Sequence, residues 1–295
     1  ELESLYPKQC RDKLCFIKGV LSSIEDLTNA MKGCNGVFHL AGSVVHSRTG
    51  GKPAVQSDYP ASLFETNVDF SVNIVRAAGN AGVSRVVIAS TSGVVGCRKR
   101  ITKRRMLIRK ICGYDEDESI PNDDSPYCKD IVKDWPYYLS KIQAEERTLA
   151  IGIQKKVEVI WMRPSMLVGP GDINFRSIKV ILSFLNQSTP IIPNGVISIV
   201  DVRDAAQAFI EAMKRGKPFR GYCLSSLNCP LSEFYSKLSS IIPIPPPTLR
   251  NIPDIFVTSG ASIIDAYNRH FKGEWRDMYD PVRAEMSACD WSVSA

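Results

Sequence analysis

The chain has 295 residues, 44% of them hydrophobic and 23% charged, with a formal net charge of +6. That composition is globular and leaves room for one large domain, or a main domain with a smaller lobe. Nine scattered cysteines without a Cys-x-x-Cys pair, and only three histidines, exclude a disulfide scaffold and a zinc site and point to reduced thiols inside the cell, in the cytoplasm or in an organelle. No apolar run approaches ~18–20 residues, so no transmembrane segment is expected.

The opening residues Glu1-Leu2-Glu3-Ser4-Leu5 carry no signal-peptide pattern and no initiator methionine, so the start reads as internal to a longer protein. Residues 14–17 read as a strand. Ser22-Ser23-Ile24-Glu25 reads as a capping box opening a helix that Gly33 ends. Val37-Phe38-His39-Leu40 is the next strand, closed by Ala41-Gly42, and residues 67–78 have helical periodicity through Val68, Val72, Val75 and Ala78. Residues 85–89 form a short β-branched strand of the kind buried on both faces. Residues 97–133 form an unusually long loop. Its basic run, from Arg98 to Lys110, is followed at once by acidic Asp115 to Glu118. With no interleaved aromatics and no nucleic-acid fold signature, it reads as a solvated insertion, and no nucleic-acid partner is expected. Pro136 suits the first turn of a helix, and residues 157–162 form the strand after it.

Alternation of short apolar runs with amphipathic stretches predicts an α/β fold with a parallel sheet. Beyond Arg163-Pro164 the pattern loosens: helices are expected at 178–185, 204–213, 232–241 and 252–267, a strand at 196–200, and a stiff proline-rich linker at 243–247. The first domain is drawn as 1–165. The rest, 166–295, is mainly a smaller lobe, with 196–215 returning to the main sheet.

The most chemical pattern is Tyr137 with Lys141, four residues apart at the start of a helical stretch, downstream of a strand that ends in Ser90-Thr91-Ser92. Residues i and i+4 share a helix face, so the ammonium of Lys141 can lie near the Tyr137 phenol. A fixed cation favours phenolate and brings tyrosine closer to acid and base work at neutral pH. A hydroxyl at the strand mouth could hold a substrate carbonyl oxygen, so the set points to proton transfer at a carbonyl.

In chain order, Val37-Phe38-His39-Leu40-Ala41-Gly42, Asn67-Val68, Ser90-Thr91-Ser92, Tyr137-x-x-x-Lys141, Arg163-Pro164-Ser165, Gly169-Pro170-Gly171-Asp172 and Asp201-Val202-Arg203-Asp204-Ala205 follow one another. The succession resembles the extended short-chain dehydrogenase/reductases of the NAD-dependent epimerase/dehydratase superfamily, in the branch of dihydroflavonol reductases and 3β-hydroxysteroid dehydrogenases. The resemblance implies a Rossmann-type doubly wound sheet with a C-terminal substrate lobe, and NADP or NAD as cofactor. It makes Tyr137 the acid/base and Lys141 its activator and ribose partner. Thr91 becomes the carbonyl-polarising hydroxyl, with Ser92 as runner-up. It puts His39, Ala41, Gly42, Lys141, Pro164 and Ser165 along the cofactor, with backbone approach at Ala41-Gly42 weightier than the His39 side chain. Asn67 steadies the helix, Tyr138 packs or lines the cleft, and Asp201 and Asp204 are structural.

The expected activity is interconversion of a secondary alcohol and a ketone on a small apolar or polycyclic substrate. The rival readings are a nucleotide-sugar epimerase or dehydratase and a non-catalytic binding protein of the same fold. The family's glycine-rich turn is not in the sequence, and Val20 stands where the family usually has aspartate. If residues 14–17 are the family's third strand, the first strand, its helix and the second strand lie upstream, and the chain as written is an N-terminally incomplete fragment that binds dinucleotide poorly. The partner is a small molecule, and a homodimer is compatible with the resemblance.

Overall fold

A computed structural model describes residues 13–44, 61–99, 119–172, 178–187, 191–271 and 281–295. Its centre is a four-stranded, all-parallel sheet in the order Gly36–His39, Arg85–Ala89, Glu158–Pro164, Gly221–Leu224. Side chains alternate between sheet faces, so the register Val86↔Val159 and Val87↔Ile160 sorts these runs into two cores. Val86, Ile88, Val159 and Trp161 meet Ile74, Val75 and Ala78 of the Phe70–Ala81 helix, with Leu27 of the Ile24–Met31 helix packed against them. Val87, Ile160 and Met162 point the other way, onto Ala212 and Phe209 of the Val202–Arg215 helix. Both faces are covered, which is why these strands read as continuous apolar runs rather than alternating ones.

A second sheet runs Arg98–Lys99, Cys289–Asp290, Val196–Asp201, Met166–Val168, with Leu227–Pro230 antiparallel to Val196–Asp201. A third pairs Leu249–Ile252 with Ile191–Pro193. The return to the main sheet expected of 196–215 is made by the helix alone. Its strand joins the second sheet, and the strand that joins the main sheet is Gly221–Leu224, too short and polar-flanked to stand out in sequence.

The strand expected at 14–17 is not formed: that segment is irregular, with Phe16 55% and Ile17 61% exposed. An apolar run becomes a strand only by pairing its backbone groups. Among the described residues nothing pairs with the outer edge of Gly36–His39, where Phe38 is 43% and Leu40 65% exposed. The cap of the first helix sits one residue later than its sequence suggests: Ser23, not Ser22, accepts from the Asp26 amide at 3.1 Å. Of the basic run, residues 100–110 lie outside the described residues. Arg98 and Lys99 are not loop residues but a strand, held by Asp290 at 2.9 Å and Glu285 at 3.1 Å. Among the described residues no helix is long and apolar enough to cross a membrane, and no group of three or more His, Cys, Asp and Glu is placed to hold a metal ion.

Ile160 is fully buried between sheet and helix, whereas Ile153 is 61% exposed. Chemical denaturation is expected to show Ile160→Ala losing about 2–5 kcal/mol of stability, and Ile153→Ala changing it by less than about 0.5 kcal/mol.

Candidate active site

The Pro136–Lys155 helix begins against the strand ends of the main sheet, and its first two turns carry Tyr137 and Lys141. Pro136 sits in the first turn, where its missing N–H leaves no intrahelical bond unmade. Tyr138 turns into an aromatic cluster, its ring centroid 6.1 Å from Trp135 and 5.1 Å from Trp291, which commits it to packing. Tyr137 instead shares a hydrogen bond with Thr91, the residue that leaves the Arg85–Ala89 strand in extended conformation (φ −152°, ψ 147°). The Thr91 hydroxyl also caps the following turn, accepting from the Gly93 amide at 3.3 Å. Ser92, the runner-up, is buried within that turn, where its carbonyl accepts from the Gly96 amide at 2.7 Å.

Lys141 follows one helical turn later, buried, its Nζ donating to the Ala89 carbonyl at 2.9 Å. Burial pushes its ammonium down to about 8, against the pull of the Glu145 carboxylate in the other direction. The expectation that Lys141 brings the phenol down is not what the geometry gives. Burial drives Tyr137 up to about 12, and the opposing pull comes from Thr91. Tyr137 is therefore held protonated, and the Lys141 ammonium is brought closer to neutral pH.

Beside them the chain passes as Ala41-Gly42-Ser43. A Cβ on Gly42 would lie 3.2 Å from Asn67 Oδ1 and 3.3 Å from Lys141 Nζ, so a bare Cα is what lets this backbone come so near the ammonium. Asn67 fixes that backbone: its Oδ1 accepts from the Ser43 amide at 2.8 Å, and its Nδ2 donates to the Ser43 carbonyl and to Ser140 Oγ, each at 2.9 Å. It stands on a π-helical turn, Glu65–Asp69, that interrupts an otherwise α-helical run. Such turns re-aim side chains and recur at functional sites. His39 is buried and joined to Ser71 Oγ at 3.0 Å, so its side chain ties strand to helix. Burial, and then the charge of Lys141, push its imidazole down to about 4.

Pro164 ends its strand opposite Leu224, and the Ser165 amide donates to the Leu224 carbonyl at 2.9 Å. Ser165 Oγ is buried and has no hydrogen-bond partner among the described residues. Asp201 is an N-cap, accepting from the Arg203 amide at 2.8 Å, which is a structural role. Sequence reading passed over Glu145, whose buried carboxylate takes Arg163 Nη2 at 2.7 Å, Ser90 Oγ at 2.5 Å and Tyr127 OH at 2.8 Å. The available signal was its spacing, one turn beyond Lys141 on the same helix face.

A profile described as the NAD dependent epimerase/dehydratase family matches residues 2–223. A provisionally named dihydroflavonol 4-reductase of Synechocystis sp. is 31% identical over 75% of this chain and 58% of its own length. Cinnamoyl-CoA reductase 1 of Petunia hybrida is 29% identical over 68% of this chain and 54% of its own. The chain thus spans less than two thirds of the length of these curated relatives. The crystal structure of gox2253 superposes with a TM-score of 0.67 at 26% identity, covering 94% of this chain and 75% of that one. The residues present fit the family's dinucleotide in part: buried Lys141 and the Ser165 hydroxyl, which has no hydrogen-bond partner among the described residues, stand at the strand ends, whereas the glycine-rich turn is not in the sequence.

His39 binds its proton less tightly when folded, so the unfolded chain holds more protons between about pH 4 and 6.5 and stability falls as pH drops through that window. Denaturant titrations are expected to show about 2–3 kcal/mol less of this acid loss between pH 7 and pH 4 in His39→Gln than in the wild type.

Proposed function

The chain belongs to the NAD dependent epimerase/dehydratase family, and from that premise we propose that the protein is an NAD(P)-dependent reductase or dehydrogenase. Its reaction is interconversion of a carbonyl and an alcohol on a small apolar or polycyclic substrate, of the dihydroflavonol or hydroxysteroid type. What carries the reading is the hydrogen bond between Tyr137 and Thr91 beside buried Lys141, at the mouth of a parallel sheet. The relatives named as reductases favour this chemistry over sugar-nucleotide epimerisation.

The Ala41-Gly42 backbone, Lys141, Pro164 and Ser165 would hold the nicotinamide and ribose end of NADP or NAD, with His39 supporting that stretch from within. Bound, the cofactor supplies or accepts the hydride. As a carbonyl carbon is reduced, its oxygen gains negative charge, and hydroxyls already aimed at that oxygen stabilise it without reorganising. Thr91 and Tyr137 provide two such hydroxyls. Tyr137, held protonated by burial, donates its proton to the oxygen, and in the oxidative direction the phenolate takes one back. Lys141, one turn away, offsets the phenolate charge left behind. Asn67 and Ser140 keep the loop and the helix turn in register during the transfer, because Ser140 Oγ also donates to the Tyr137 carbonyl at 2.7 Å.

Turnover is to be followed by dihydronicotinamide absorbance with a dihydroflavonol, a cinnamoyl thioester and a 3β-hydroxysteroid and, for the rival reading, by chromatography of the products formed from a UDP-sugar, because that reaction leaves the cofactor's redox state unchanged overall. Tyr137→Phe is expected to lower kcat by about 10²–10⁴-fold with cofactor affinity retained. Thr91→Val should follow it and Ser92→Ala should not. Unchanged turnover in Tyr137→Phe would overturn the mechanism, and cofactor binding without any turnover would favour a binding protein.

A further inference from the structure

We propose that Glu145 is a positioning residue for the Tyr137 site, acting through Ser90 and Lys141 rather than on substrate. The proposal rests on the catalytic reading above for its purpose, but its geometry stands independently. Tyr137, Lys141 and Glu145 follow one another at four-residue spacing along one face of the Pro136–Lys155 helix. From that face two successive side chains grip two successive residues of the neighbouring strand end. Lys141 Nζ holds the Ala89 carbonyl at 2.9 Å, and Glu145 Oε1 accepts from Ser90 Oγ at 2.5 Å. The next residue is Thr91. The distance between the hydroxyls of Thr91 and Tyr137 is thereby set by two anchors that lie just behind it.

The same carboxylate reaches the other strand end of the site. Arg163, which precedes Pro164 and Ser165, donates Nε at 3.2 Å to Oε1 and Nη2 at 2.7 Å to Oε2. Tyr127 donates its hydroxyl to Oε2 at 2.8 Å. Glu145 is 1% exposed, so this charge acts through little intervening water. Four segments meet at one residue: the site helix, the strand ends at Ser90 and Arg163, and the loop that carries Tyr127.

A purely structural ion pair would stabilise the fold and leave the site's proton affinities alone. Glu145 is placed to do more, because its charge lies one helical turn from Lys141 and pulls that ammonium upward against burial. Among the described residues the other groups around Lys141 are Tyr137 on its own helix, neutral His39 on the neighbouring strand, and the uncharged Asn67 and Ala89 carbonyl. None of them replaces the carboxylate.

The test is the titration of Lys141 by NMR of isotope-labelled lysine in the whole chain, its resonance assigned with Lys141→Arg. In Glu145→Gln the midpoint is expected to fall below about 8 by about one pH unit, whereas Glu145→Asp, which keeps the charge, returns most of the shift. Thr148→Val is the structural control. It removes a buried hydroxyl of the same helix that accepts from the Trp161 indole at 3.0 Å, and should lower stability while leaving Lys141 unmoved. If unpaired Arg163 prevents Glu145→Gln from folding, the double variant Glu145→Gln with Arg163→Met removes both charges of the buried pair and is read in the same way. A Lys141 titration that superimposes on the wild type in either folded variant would sink the proposal. In turnover, Glu145→Gln should lose at least about tenfold in kcat with a smaller change in KM. A wild type that never turns over would count against the proposed function alone, because the Lys141 titration still decides the role of Glu145.

Discussion

A carboxylate cannot be taken out of water unless its charge and its lone pairs are answered, and Glu145 is the place where this fold meets that demand. Arg163 grips it with two donors, and Ser90 and Tyr127 supply two more. Because the donors come from different segments, satisfying the carboxylate dictates how those segments sit together. Arg163 needs room in turn: a Cβ on Gly221, in the next strand, would fall on its guanidinium, so a glycine stands there. Removing one partner of such a pair typically costs about 3–5 kcal/mol, far more than an exposed ion pair contributes. The exposed pairs Arg147–Asp69 and Lys129–Glu146 therefore do little for the architecture by comparison.

The site's electrostatics follow from that packing. Burial acts on each ionisable group in the direction of its neutral form: the Tyr137 phenol up, the Lys141 ammonium and the His39 imidazole down. A neutral His39 can lie inside the sheet and bond Ser71, a protonated Tyr137 can give up a proton, and Lys141 is left with a charge that neighbours can tip. The π-helical turn at Glu65–Asp69 aims Asn67 at the Ser43 backbone, which keeps the Gly42 stretch close to Lys141. Each feature is unremarkable alone. They converge at the ends of parallel strands, where Tyr137, Thr91 and Lys141 stand together.

Much of this was legible beforehand, and for a local reason. The run Arg-Val-Val-Ile-Ala has the pattern of a strand buried on both faces and forms one at Arg85–Ala89, and the proline-started helix begins at Pro136. Thr91 and Tyr137, chosen by spacing and resemblance, share a hydrogen bond. Residues 14–17 failed for the complementary reason: their apolar pattern was real, but a strand is a relation between two chains, and no partner pairs with them among the described residues. Glu145 was passed over because acidic residues are ordinarily the solvated face of a helix, and nothing in its neighbours announces that it is 1% exposed.

By itself the sequence determined the kind and order of most elements and the four-residue interval between Tyr137 and Lys141, since helical periodicity, caps and turns depend on residues a few places apart. Only the tertiary structure decided which strands pair, which hydroxyl faces Tyr137, and which way each proton affinity moves. Those outcomes depend on how far a group is removed from water and on charges brought near it from distant parts of the chain. Tyr137 shows the division most clearly. Its position could be read from spacing, but its tight hold on a proton comes from the walls that close around it.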